Sequence, residues 1–240
     1  MTGKAVAFIS NKGGTGKTTA CVNVAACLAQ SGNKVLVIDL DPIASATAYL
    51  GIKPEDFGDL SIQSAASGEK KIGEVIFEIE GMDMHVVPSC RGVTFEKIKK
   101  NFLTSGIKKI ENLDYDFIMM DTPPGFDYVS REVIKACDTP IAALNESVFS
   151  MENLPLLKDI ASKGGKRIDC AILSTVNRRS RVSREVVNAL SSEFERAFIV
   201  PFDKQVPRSQ ALGVPLAYLK GRSRALRCYR SVAKFLAEGE

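Results

Sequence analysis

Nine consecutive residues carry the most chemistry in this 240-residue chain: Asn11, Lys12, Gly13, Gly14, Thr15, Gly16, Lys17, Thr18 and Thr19. Glycine lets the backbone turn its N–H groups inward as a nest for anionic oxygens. Lys17 is spaced to reach the β- and γ-phosphates of a nucleotide held there, and the Thr18 hydroxyl to ligate Mg²⁺. Asn11 stands where the common phosphate-loop pattern G-x-x-x-x-G-K-[ST] has glycine. Asparagine tolerates a left-handed turn, so the departure does not exclude the loop. Lys12 adds a second lysine at its start. The plainer alternative is a glycine-rich turn with two solvated lysines, and the flanking sequence argues against it.

Three aspartates are placed to complete such a site. Asp39 falls within the apolar run at 34–40 and Asp41 follows it. They are two positions apart, so a strand that persisted would point both the same way. Asp121 ends the apolar run at 116–121 and would deliver one carboxylate to a metal. A capping aspartate at a strand-to-loop turn is its plainer reading. Carboxylates at the C-terminal ends of parallel strands sit at the ligand edge of an α/β sheet. Pro42 turns the chain after Asp41, and Pro123, Pro124 and Gly125 form a loop after Asp121.

Residues 5–9 read as a buried strand ahead of the glycine loop, and the alanine-rich stretch 20–29 as the helix behind it. Further apolar runs at 34–40, 84–88, 116–121, 140–145, 167–176 and 197–200 read as strands, the continuous ones covered on both faces. Helical segments are expected at 44–50, after Ser61, at 95–113 with a possible division at Gly106, and at 128–136, 151–163, 182–195 and 223–236. This alternation predicts an α/β fold: a mostly parallel, twisted sheet with helices on both faces. No repeat or linker marks a boundary, so one domain over residues 1–240 is expected.

The composition, 45% apolar, supplies a full core. No run approaches the roughly 20 apolar residues of a membrane span, and no secretory signal is expected. The six cysteines, at 21, 27, 90, 137, 170 and 228, form no C-x-x-C pair and read as buried apolar residues of a cytosolic protein. The sole histidine, His85, lacks an evident metal partner and reads as structural. Charge is uneven: residues 163–240 hold 16 Lys and Arg against seven Asp and Glu, and residues 1–162 hold 16 against 21. A basic C-terminal third points to a polyanion partner; a solvated face or internal ion pairs is the alternative.

Lys12 to Thr18 resembles the deviant Walker A loop of the ParA/MinD superfamily of ATPases, which includes partition ATPases, division-site positioners and the nitrogenase iron protein. Residues 116–121 are similar to its Walker B strand. Residues 207–216 resemble the C-terminal signature of the small ParA/Soj-type partition ATPases. The resemblance spans nearly the whole chain and is weakest over 51–80.

The resemblance implies one P-loop NTPase domain that hydrolyses ATP slowly with Mg²⁺. Residues 13–18 and Lys17 would hold the phosphates, with Thr19 beside them. Thr18 and Asp121 would serve the metal, with Asp39 in its outer shell. Asp41 would position the attacking water. Lys12 would reach across a homodimer to the partner's nucleotide. Asn177, Pro201 and Phe202 would contact adenine, although Asn177 is equally a turn residue. Where many partition ATPases continue Asp-Pro with Gln, this chain has Ile43, which leaves the finer placement of water and the subfamily open.

The iron–sulfur relatives need cysteines that this chain lacks at the required places, and the acidic tail is too poor in apolar bulk to dock on a membrane. Arg178, Arg179, Arg181 and Arg184 lie in one stretch; Arg208, Arg222, Arg224, Arg227 and Arg230 lie in another. On a dimer these could contact DNA phosphates without reading sequence. The expectation is a nucleoid-associated partition ATPase released from DNA by a ParB-like activating partner. The competing class is a nucleotide switch that positions a non-DNA cargo or regulates a partner protein.

Overall fold

Alternation inside one strand separates the two cores. In strand β1 (Lys4–Ile9), Ala5, Ala7 and Ile9 join one buried cluster, and Val6 and Phe8 join the other. Successive side chains of a strand point to opposite faces, so an unbroken apolar run implies cover on both. The computed structural model describes residues 3–91, 101–110, 113–147, 152–176 and 181–239.

The other strands are β2 (Val35–Asp39), β3 (Phe77–Glu78), β4 (Met84–Val87), β5 (Phe117–Asp121), β6 (Thr139–Asn145), β7 (Cys170–Val176) and β8 (Arg196–Pro201). They form a sheet in the order β3-β4-β2-β5-β1-β6-β7-β8. Every pairing is parallel except β3 with β4. Among the described residues the α-helices are α1 (Lys17–Gln30), α2 (Ser45–Tyr49), α3 (Ile62–Ser67), α4 (Phe102–Ile110), α5 (Tyr128–Ala136), α6 (Leu154–Lys163), α7 (Arg181–Glu193), α8 (Gln205–Leu212) and α9 (Arg224–Glu238). Residues of α3, α4, α5, α6 and α7 fill one cluster; α1, α2 and α9 fill the other. The expected mostly parallel sheet with helices on both faces is therefore present.

Helix α1 is buried nearly all round from Ala20 to Ala29. Its small residues, Ala20, Cys21, Ala25, Ala26 and Ala29, let it lie between the sheet and α9. The polar Asn23, fully buried, is satisfied: its amide N–H groups donate to Thr19 O and Tyr49 Oη, and its oxygen accepts from Leu216 N.

Some expected boundaries move. Strand β2 starts at Val35 because Lys34 N donates instead to the Asp116 carboxylate. Gly106 lies inside α4 and does not divide it; residues 95–100 of that expected segment lie outside the described residues. The two-residue β3 and helix α8 were not expected. His85 fits its structural reading, with Nδ1 hydrogen-bonded to Tyr115 Oη.

Candidate phosphate-binding site

Strand β1 lies between β5 and β6, and β2 lies beyond β5. In register, Phe8 sits opposite Asp121, and Asp121 opposite Asp39. The loop after β1 and two carboxylates thus meet at the carboxyl edge of the sheet, where open α/β folds bind ligands.

The loop is held by a residue that precedes the motif. Ser10 Oγ accepts hydrogen bonds from Lys17 Nζ and Thr15 Oγ1, each at 2.9 Å, and donates to Lys12 O at 2.8 Å. This fills the hydroxyl's capacity. Lys17 Nζ donates also to Lys12 O at 3.3 Å. The lysine is only 6% exposed. Burial lowers its pKa, while the charges of Asp121 and Asp41 oppose that shift. Gly14 and Gly16 adopt φ of 72° and 85°, the left-handed region that glycine enters freely. Gly16 precedes the first turn of α1, so the helix's unsatisfied N–H groups open toward the loop.

Thr18 Oγ1 donates to Asp121 Oδ2 at 2.7 Å. The other oxygen, Asp121 Oδ1, is buried and has no hydrogen-bond partner. Burial and the neighbouring Asp39 raise the Asp121 pKa well above the carboxylate range, against the Thr18 hydrogen bond and the charge of Lys17. A hydroxyl and a buried, incompletely satisfied carboxylate form an oxygen donor set that fits a small hard cation. Among the described residues no group of three or more His, Cys, Asp and Glu could hold a metal. Such a cation would complete its shell with phosphate oxygens and water.

Asp39 and Asp41 do not line up as strand neighbours, because β2 ends at Asp39. Asp39 Oδ2 accepts from Thr47 N and Oγ1, at 2.8 and 2.7 Å, and its Oδ1 accepts from Asp41 N. Burial pushes its pKa up to about 6, opposed by those hydrogen bonds. Asp41 Oδ1 accepts from Ile43 N at 2.9 Å, and Ser89 Oγ donates to Asp41 O. Asp39 thus fixes the turn that presents Asp41.

Residues 13–19, Asp41, Ile43, Tyr49, Arg91, Pro124 and Gln210 line a cleft of about 450 Å³. Lys12 is exposed beside it, and Gln210 Nε2 donates to Thr19 Oγ1 at 2.9 Å. Ser10, Thr47, Ser89, Arg91 and Gln210 escaped the sequence reading. Ser10 adjoins the motif and could have been inspected, but the others reach the site only through the fold.

A separate cavity of about 1000 Å³ lies at the β7–β8 end, lined in part by Thr175, Val176, Pro201, Phe202, Arg224 and Arg227. Phe202 is 60% exposed. Thr175, at φ 60°, is an unusual left-handed β-branched residue beside a register shift in the β7–β8 ladder. Asn177, Arg178 and Arg179 lie outside the described residues. Arg181 opens α7, and Arg184, Arg208, Arg222, Arg224, Arg227 and Arg230 are exposed. Arg224 Nη2 donates to Phe202 O at 3.2 Å.

A family model described as AAA domain matches residues 3–168. The chain is 26% identical to the chromosome-partitioning ATPase Soj of Treponema pallidum, over 97% of this chain and 96% of that protein. It is 31% identical to an uncharacterised ATP-binding protein of Methanocaldococcus jannaschii, over 95% of this chain and 86% of the relative. Its fold is similar to the septum site-determining protein MinD of Pyrococcus horikoshii, solved in complex with Mg-ADP. That likeness has a TM-score of 0.84 at 22% identity, over 96% of this chain and 94% of that one.

Proposed function

The chain belongs to the family described as AAA domain and to the ParA/MinD superfamily of ATPases, and from that premise we propose an ATP-switched DNA-partition protein. ATP closes two copies into a homodimer, the dimer binds DNA without sequence preference, and an activating partner stimulates hydrolysis and release. The observation that carries the reading is the convergence of Lys17, Thr18 and Asp41 on one cleft, with Asp121 bonded to Thr18 behind them.

Backbone N–H groups of residues 13–18 cradle the phosphates, and Lys17, released from Ser10, bonds to the β- and γ-oxygens. Thr18 and Asp121 hold Mg²⁺, which when bound supplies positive charge against the phosphate oxygens. Asp41 orients the attacking water and accepts its proton. Asp39 holds the Asp41 turn and backs the metal site. Lys12 extends to the nucleotide of the second copy and stabilises charge there, as an arginine finger does. Pro201, Phe202 and Asn177 contact the adenine ring.

The basic C-terminal third supports DNA as the partner: Arg184, Arg208, Arg222, Arg224 and Arg227 are all exposed. Arg178, Arg179 and Arg181 belong to the same proposal through the sequence alone.

The test is binding to random duplex DNA with ADP, with ATP, and with ATP after Asp41→Ala, with oligomeric state read by light scattering. The expected result is an ATP-dependent dimer that binds DNA, loses it at high salt, and is trapped by Asp41→Ala. A dimer that ignores DNA would instead indicate a switch for a non-DNA cargo. No ATP-dependent dimer would overturn the reading.

A further inference from the structure

Among the described residues that line the phosphate cleft, the cations are Lys17 and Arg91. Lys17 is accounted for by the loop motif. Arg91 follows the end of β4, and no motif includes it.

Two contacts hold the Arg91 guanidinium at the rim. Its Nε donates to Ile43 O at 3.2 Å, and its Nη1 donates to Glu55 Oε1 at 3.1 Å. The first contact ties it to the segment two residues beyond Asp41. The second sets it against a carboxylate whose side chain is 60% exposed, while the Arg91 side chain is 52% exposed. An ion pair this open is weak and exchangeable. A guanidinium has more N–H donors than these contacts use, in a planar fork that matches phosphate oxygens.

We infer that Arg91 is a γ-phosphate-contacting residue that exchanges Glu55 for the nucleotide when ATP enters the cleft. The inference rests on the ATP reading above and adds to it a residue that distinguishes ATP from ADP. The assignment to the γ-phosphate follows from position. Arg91 stands on the Asp41 side of the cleft, and Asp41 is the carboxylate placed to orient water at the terminal phosphorus. ADP offers no group there. Glu55 then acts as a competing anion that holds the guanidinium when the γ-phosphate is absent. The charged fork also meets the equatorial oxygens on which charge accumulates during transfer.

The test is titration calorimetry of the full chain with Mg²⁺ and either ADP or the non-hydrolysable β,γ-imido analogue of ATP, on wild type, Arg91→Gln, Arg91→Lys and Glu55→Gln. Arg91→Gln is expected to weaken the analogue about tenfold and to leave ADP within about twofold. Arg91→Lys recovers part of the difference, because it keeps the charge but loses the fork. Glu55→Gln is expected to tighten the analogue two- to threefold, with ADP unchanged.

The two partners of the ion pair therefore move analogue affinity in opposite directions. A purely structural pair would move both the same way and would affect both nucleotides. An unchanged ratio of analogue to ADP affinity in Arg91→Gln overturns the inference, as does a shift in one direction for Arg91→Gln and Glu55→Gln. Wild type that binds neither nucleotide overturns the ATP reading itself, a result distinct from wild-type binding with an unchanged ratio. Thermal melting of each variant separates loss of fold from loss of contact.

Discussion

Thr18 Oγ1 and Asp121 Oδ2 are 2.7 Å apart, which joins the first turn of α1 to the end of β5 and leaves Asp121 Oδ1 buried without a partner. An incompletely satisfied buried carboxylate weakens the nucleotide-free protein. Asp121→Asn is expected to raise apo stability by about 1–2 kcal/mol, because it removes that charge while keeping shape. The same change should abolish the dependence of ATP binding on Mg²⁺. Urea denaturation and nucleotide titration with and without Mg²⁺ check both; a destabilised apo protein would contradict the argument.

The Asp41 side chain accepts a bond from Ile43 N and sits at the cleft wall. Asp41→Ala is expected to reduce ATP turnover by about 10²–10⁴-fold. ATP affinity should change only a few-fold. Phosphate release, measured beside equilibrium nucleotide binding, separates the two effects.

Gly16 is required for two independent reasons. Its φ is 85°, and a Cβ there would stand 2.5 Å from Ser174 Oγ and 3.0 Å from Ser174 Cβ. Gly16→Ala is expected to cost about 2–4 kcal/mol, combining left-handed strain with overpacking. Adding Ser174→Gly should recover the steric part and leave about 1 kcal/mol of backbone strain. Chemical denaturation of the single and double variants measures the split; no recovery would show that Ser174 is not the obstacle.

Asp203 supports the start of α9. Its carboxylate accepts from Gln205 N, Ser223 Oγ, Arg224 N and Ala225 N. Burial works to raise its pKa, but these hydrogen bonds together hold it below the usual carboxylate value. A depressed folded pKa contributes stability above the unfolded value, about 3.9, and loses it as pH falls through the folded value. Asp203→Ala is therefore expected to cost about 1 kcal/mol at pH 7. The charge-dependent part of that cost should fade as pH is lowered below about 4. Denaturation at neutral and acid pH checks the sign, which a constant difference would contradict.

Much of the fold was legible because burial on both faces leaves a strong mark. Residues 5–9, 116–121 and 128–136 announced β1, β5 and α5 closely. Helix α8 was missed because Gln205, Pro207, Arg208 and Gln210 show no apolar face. Val206 packs against the core, and Ser209 Oγ meets Tyr49 Oη at 2.8 Å. Strand β3 was missed because it is only two residues long, although Phe77 and Ile79 alternate with Glu78 and Glu80.

The sequence by itself determined the glycine-rich loop and its lysines, the aspartates at strand ends, and the parallel α/β class. These depend on residue types at close spacing, which local geometry turns into a glycine-rich turn ahead of a helix, a carboxylate at a strand end and a buried strand. Only the tertiary structure decided what surrounds them. Ser10 saturates its hydroxyl on the loop, Thr47 claims Asp39, Gln210 arrives from 191 residues beyond Thr19, and Arg91 enters the cleft from the end of β4. Such contacts join groups far apart in the chain, and side-chain chemistry alone does not state which distant groups meet.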